Sequence, residues 1–158
     1  MTKYPSSLTP AQALIKAAHY CAYQERCHAE VLEKLSQWGI YGQDADLLVL
    51  NLIEQGYLNE ERFAKAFAGG KFRTKQWGRL RIARELKMRQ VSEYCIRQAL
   101  AEIDEEDYKA GMHKLIRQKL VLIKEKNPLV KKSKTATYLI GKGYEPDQVW
   151  NVLRSMIL

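Results

Sequence analysis

Apolar residues recur along the chain at helical spacing, three or four residues apart, and local signals cut this pattern into nine segments. Thr9-Pro10-Ala11-Gln12 predicts a helix start, with Thr9 as cap, Pro10 in the first turn and Gln12 closing a capping box. The helix runs to about Tyr23 and buries Leu14, Ala17, Ala18 and Cys21. A second, from His28 to about Trp38, turns Val31, Leu32 and Leu35 inward and stops at Gly39. A third, from about Asp44 to Gln55, carries Leu47, Leu48, Leu50, Leu52 and Ile53. Gly56 ends it, and Tyr57 and Leu58 fold back over its last turn.

Asn59 is a good N-cap, and Glu60 and Glu61 suit the positive end of the helix it opens. Phe63, Ala66, Phe67 and Gly70 form the inward stripe of that helix. Gly69-Gly70 costs about 1 kcal/mol per glycine relative to alanine, which predicts a close approach of another helix there. Between Trp77 and Gln90, Ile82, Ala83 and Leu86 gather on one side at roughly 100° per residue. Ser92 then caps a helix bearing Ile96, Ala99, Leu100 and Ile103. Asp104 to Asp107 place acids on the first turn of a long helix, expected to reach about Lys126 with Tyr108, Met112, Leu115, Leu122 and Ile123 inward. Asn127-Pro128 terminates it. Another helix covers about 129–142 and ends at Gly143. Pro146 opens the last, with Val149, Trp150, Leu153 and Met156.

These nine segments are three copies of a three-helix unit. The second helix of each unit ends alike, at Leu35-x-x-x-Gly39-Ile40, Leu86-x-x-x-Gln90-Val91 and Leu139-x-x-x-Gly143-Tyr144. The anchor leucines lie 51 and then 53 residues apart. The expected fold is therefore all-α, with tandem three-helix repeats over 1–55, 56–103 and 104–158. Units that touch mainly their neighbours give an elongated array with room to curve.

Charge separates the repeats. Residues 1–55 hold 4 Lys/Arg against 6 Asp/Glu, residues 56–103 hold 11 against 5, and residues 104–158 hold 11 against 7. The segments thus carry −2, +6 and +4, within a net charge of +8. From Lys71 to Arg89 eight cations face Glu85 alone. Where the middle unit has Arg81 and Arg84, the first has Glu30 and Glu33 and the third Lys134 and Thr137. The inner positions stay largely apolar: Ile82, Ala83 and Leu86 match Val31, Leu32 and Leu35, and Thr135, Ala136 and Leu139. The fold does not require arginine on the outer face, so an acidic partner is the better reading of it. Lys71, Arg73, Lys75, Arg81, Arg84, Lys87 and Arg89 form the main candidate surface. Lys131, Lys132, Lys134 and Lys142 form a second. Phe72, Trp77 and Tyr94 lie among the cations; Phe72 and Tyr94 fit core packing, and Trp77 fits either packing or exposed contact.

Composition narrows the remaining classes. With 46% hydrophobic and 28% charged residues the chain folds. Cys21, Cys27 and Cys95 are odd in number and contain no CxxC pair, which points to reduced thiols. The N-terminal twelve residues lack an apolar core of signal-peptide length, and Leu47 to Ile53 is too short to span a bilayer. A cytoplasmic protein without membrane attachment is expected. His19, Cys21, Cys27 and His28 do not have zinc-ligand spacing. The acids sit mostly on helix starts, where capping explains them, so neither catalysis nor a cofactor is expected.

The string Gly56-Tyr57-Leu58-Asn59-Glu60-Glu61-Arg62-Phe63-Ala64, followed by Trp77-Gly78 and Arg81-Ile82-x-x-Glu85-Leu86, resembles the RecX family of bacterial regulators of the RecA recombinase. The likeness extends over essentially the whole chain, since that family is built from three tandem three-helix units. Two positions depart from the family pattern. Asn59 stands where an acid is usual, and Gln90-Val91 stand where Gly-Ile is usual. Gln90 resists a left-handed backbone, so a turn of different shape is expected there. The resemblance implies a non-enzymatic modulator that lies along the RecA–DNA filament and limits filament growth, strand exchange and co-protease activity. The oligomeric state is left open by the sequence, with an elongated monomer as the default expectation. Whether DNA is touched directly is left open by the residues. The alternatives are an autonomous helix-turn-helix-like DNA-binding module and a scaffold whose basic face meets an acidic protein.

Overall fold

The computed structural model describes residues 8–156. Met1–Ser7 and Ile157–Leu158 lie outside it, and with them most of the N-terminal stretch that lacks a signal-peptide core. The described residues form nine α-helices and no strand. The first unit comprises α1 (Pro10–Tyr23), α2 (His28–Gln37) and α3 (Gly42–Glu54). The second comprises α4 (Glu60–Lys75), α5 (Arg79–Met88) and α6 (Glu93–Ala101). The third comprises α7 (Glu105–Leu122), α8 (Pro128–Gly141) and α9 (Pro146–Ser155). Helices that pack closely along their lengths belong to the same triplet, as the repeat predicts.

The helix starts follow the local chemistry. Thr9 and Gln12 exchange both bonds of a capping box. The side chains of Asn59, Ser92 and Asp104 accept from the amides of Arg62, Cys95 and Asp107. Asn127 accepts from Leu129 and Val130, so Asn127-Pro128 opens α8 as well as closing the segment before it. That segment is shorter than expected. α7 ends at Leu122 because the Glu125 carboxylate captures the amides of Lys126 and Asn127 and turns the chain out of the helix.

The three second helices end in the same geometry. Leu35, Leu86 and Leu139 are fully buried, and the carbonyl of each accepts from the residue five positions on: Ile40 at 2.8 Å, Val91 at 3.1 Å and Tyr144 at 3.2 Å. The intervening residue is left-handed in every copy, at φ 82° for Gly39, 62° for Gln90 and 101° for Gly143. The expectation of a differently shaped turn at Gln90 is therefore corrected. Hydrogen bonds of the Val91 and Gln90 amides to Leu86 and Lys87 hold the turn in the repeat's shape, against the roughly 1–2 kcal/mol that a left-handed non-glycine residue costs. Glycine loses more entropy on folding, so the full cost is not recovered by substitution. Gln90→Gly is expected to raise the unfolding free energy by about 1 kcal/mol, read as a higher urea midpoint at unchanged slope.

Other sequence expectations fail on burial. In α3 only Ala45, Leu48 and Leu52 are buried, while Leu47, Leu50 and Ile53 face solvent. A single α-helical face is too narrow for five leucine or isoleucine residues in seven positions. Leu32 and Leu122 are exposed as well. In α4 the buried residues are Phe63, Ala64 and Ala68; Ala66 is exposed, and Phe67 and Gly70 are half-buried. No close helix approach explains Gly69-Gly70. A Cβ on Gly69 would meet only the Arg73 guanidinium, and one on Gly70 would meet open space.

The first unit has its own core, centred on Ala13, Val31, Leu35, Leu48 and Leu52. The second and third share one continuous core, which joins Ile82, Leu86 and Ile96 to Tyr108, Leu139 and Leu153. Cys27, from the loop between α1 and α2, plugs into that shared core, and Arg62 of α4 bonds Glu25 of the same loop at 2.6 Å. These contacts fasten the first unit to the second at the C-terminal end of α1.

Candidate functional site

The basic helix α5 begins with an N-cap that has no side chain to offer, Gly78. Its free amides are satisfied by the third unit. Gly78 N–H donates to the Lys142 carbonyl at 2.8 Å, Leu80 N–H to the Gly143 carbonyl at 2.9 Å, and Arg79 N–H to the Tyr108 hydroxyl at 3.1 Å. The orphan carbonyls at the end of α8 thereby meet the orphan amides at the start of α5, negative dipole end to positive. The approach is backbone on backbone. A Cβ on Gly78 would overlap Gly143 and the Tyr144 nitrogen, and a Cβ on Gly143 would overlap Arg81.

An aromatic and ionic lattice surrounds the joint. The Tyr108 hydroxyl donates to Glu145 at 2.7 Å, and its ring packs at a tilt against those of Phe72 and Tyr144. Arg79 lies over the Tyr108 ring and bonds Glu105 at 2.5 Å. The Tyr144 hydroxyl donates to the Gln76 carbonyl at 3.1 Å. Burial drives both phenols up, that of Tyr144 to about 12, so both hydroxyls keep their protons near neutral pH.

The joint brings together three of the candidate cations, and the backbone of a fourth. Lys71 and Arg81 lie over the Trp77 ring, at 5.3 and 4.3 Å from its centroid, and the Lys142 ammonium donates to the Lys75 carbonyl at 2.8 Å. Trp77 is half-buried: its ring is both packing and a cation platform. The remaining candidates are dispersed. Arg84 and Lys87 are exposed, and among the described residues no carboxylate lies within ion-pair distance of either. They edge a groove of about 390 Å³ between α5 and α6, with Ala83 and Ile96 as its floor. Arg97 stands on the other edge and was not among the candidates, because a count along α5 does not reach a neighbour on the next helix.

Four candidates are engaged elsewhere. Arg89 is held by Glu85 at 3.0 Å and lies over the Phe67 ring, facing the cleft between the first two units. Lys134 pairs with Glu125 at 3.3 Å. Lys132 donates to the Met156 carbonyl at 2.7 Å. Arg73 folds over Gly69 into a hollow also lined by Glu102, Asp104 and Asp107. Lys131 is half-buried. The Lys134–Glu125 pair, with an exposed lysine, is weak, worth about 0.2–1 kcal/mol, and an incoming anion can exchange with the carboxylate. Arg89–Glu85 is partly buried and held by a second bond to the Glu85 carbonyl.

Phe72 is half-buried and packs against the core as expected, whereas Tyr94 is exposed, against the expectation of core packing. Cys21, Cys27 and Cys95 are free and buried, and burial raises the Cys27 thiol to about 11. Among the described residues no group of three or more His, Cys, Asp or Glu is placed to hold a metal ion. Among the described residues no helix is long and apolar enough to cross a membrane.

Residues 59–100 match the family model described as RecX, second three-helix domain. The chain is 36% identical over 112 residues to "Regulatory protein RecX" of Lactobacillus gasseri, an alignment covering 68% of this chain and 41% of the relative. It is 35% identical over 103 residues to the protein of the same name from Lactobacillus johnsonii, covering 65% and 38%. The chain thus spans about two fifths of the length of these two relatives. It is 27% identical to that of Pseudomonas savastanoi pv. phaseolicola, over 92% of each chain. The crystal structure of RecX from Lactobacillus salivarius shares the fold, with a TM-score of 0.83 at 19% identity over 92% of this chain and 94% of that one.

Proposed function

The chain belongs to the RecX family, and we propose that it regulates a recombinase of the RecA type by binding the recombinase–DNA filament through α5. Growth of the filament, strand exchange and co-protease activity are the processes it limits. The observation that carries this reading is the state of Arg84 and Lys87. They are exposed and without an intramolecular carboxylate among the described residues, whereas the first unit has Glu33 at the position of Arg84. The joint supports the same reading, because Lys71 and Arg81 lie over Trp77 with Lys142 on the backbone of Lys75 nearby, and cations with an aromatic face suit phosphates. Nothing in this arrangement converges on a substrate; the chain acts by occupying a surface.

The autonomous DNA-binding reading has less support. A helix-turn-helix reads bases with its second helix. In the α5–α6 pair that helix is α6, where Glu93 offsets Arg97. The test adds the chain to recombinase on single-stranded DNA with ATP and follows hydrolysis and filament length. Slower hydrolysis and shorter filaments are expected. Unchanged values with the chain in excess over recombinase contradict the proposal.

A further inference from the structure

The two ends of the molecule carry apolar surfaces with opposite charge. At the first, α1 and α3 leave a groove lined by Leu14, Leu47 and Leu48, with Asp44 on its edge. Leu47 is 57% exposed. This groove lies at the N-terminal end of α1, about 20 Å along the helix from the loop that fastens the first unit to the second. At the second, the tip between α7 and α8 exposes Val121 (82%), Leu122 (70%) and Leu129 (78%), among Lys124 and Lys126. Tyr108 holds the other end of α7 in the joint, so this tip is the far end of the third unit.

We propose that the lysine-edged tip of one copy docks in the acid-edged α1–α3 groove of another. Each patch is too apolar to be a plain solvated face, and each supplies the charge the other lacks. The two patches sit on one molecule, so a second copy is the partner whose chemistry the chain itself provides. Such a contact is heterologous: it does not close, and repeats into an open row of copies. A row lets successive copies cover a polymeric partner cooperatively, which a monomeric binder does not do.

The test pairs two surface variants, each of which removes one end. Leu47→Asp spoils the groove and Leu129→Asp spoils the tip; both positions are exposed, so folding is preserved. By sedimentation at low salt, the wild type is expected to exceed twice the 18.3 kDa monomer mass as its concentration approaches about 1 mM, and to fall back in high salt. Each variant alone stays monomeric. Their mixture forms a 1:1 dimer that grows no further, since only one intact groove and one intact tip can meet. A wild type that remains monomeric overturns the proposal. So does a variant that associates by itself, a mixture that does not pair, or association that begins only when residues 1–7 are removed, which would assign the groove to the chain's own N-terminal segment.

Discussion

Gly143→Ala is expected to lower the free energy of unfolding by about 2–5 kcal/mol. Two costs add. At φ 101° an alanine pays about 1–2 kcal/mol for the left-handed backbone. Its Cβ then overlaps the backbone and Cβ of Arg81, and forcing the two chains apart costs about a further 1–3 kcal/mol. Separation also lengthens the bonds from Gly78 and Leu80 that cap α5, so filament affinity should fall along with stability. Gly56→Ala is the control. Gly56 is left-handed at φ 80°, but a Cβ there meets nothing within 4 Å, so only the backbone cost of about 1–2 kcal/mol applies. Urea unfolding of both variants measures the difference. Equal losses would mean that the joint between the second and third units is not tight.

Much of the fold is readable from neighbours in sequence. Thr9 with Gln12, Asn59 and Ser92 cap helices where their spacing places them, because a cap needs only residues two or three apart. Asp104 and Asn127 also cap, where the sequence pattern reads as a first-turn acid and a helix stop. Leu35, Leu86 and Leu139 are likewise found by a period that survives divergence, since each plugs the same hole in its unit. The joint is different. Gly78 and Lys142 meet across 64 positions, and a glycine that ends a helix looks the same locally whether or not another backbone crosses it. Gln90 shows the converse: its residue preference argues against the turn, and the burial of Leu86 and Val91 overrides it. On the candidate surface, the charges of single helices are legible, but their partners are not. Glu125 reaches Lys134 only because α7 ends early, and Arg97 joins Arg84 only across the α5–α6 pair.

Reversing Arg81 and Arg84 together to glutamate is expected to weaken binding to the recombinase–DNA filament about a thousandfold. Each reversal removes one attraction and adds one repulsion, each worth about 1 kcal/mol at a solvated contact. Four such changes total about 4 kcal/mol, or roughly three decades in affinity. The fold should barely notice. Arg84 is exposed, and Arg81 gives up a partly exposed stack on Trp77 worth about 0.5–1 kcal/mol, so the melting temperature falls by only about 2–4 °C. Lys134→Glu is the graded comparison: a single reversal at an ammonium that must first leave Glu125, so a loss of about tenfold or less is expected. The decisive measurement is the filament affinity of Arg81→Glu/Arg84→Glu beside the wild type, at one fixed salt concentration, with helical content recorded for both. A loss of about a thousandfold with the helices intact is the predicted result; unchanged affinity in a folded double variant would contradict the assignment of α5 as the binding surface.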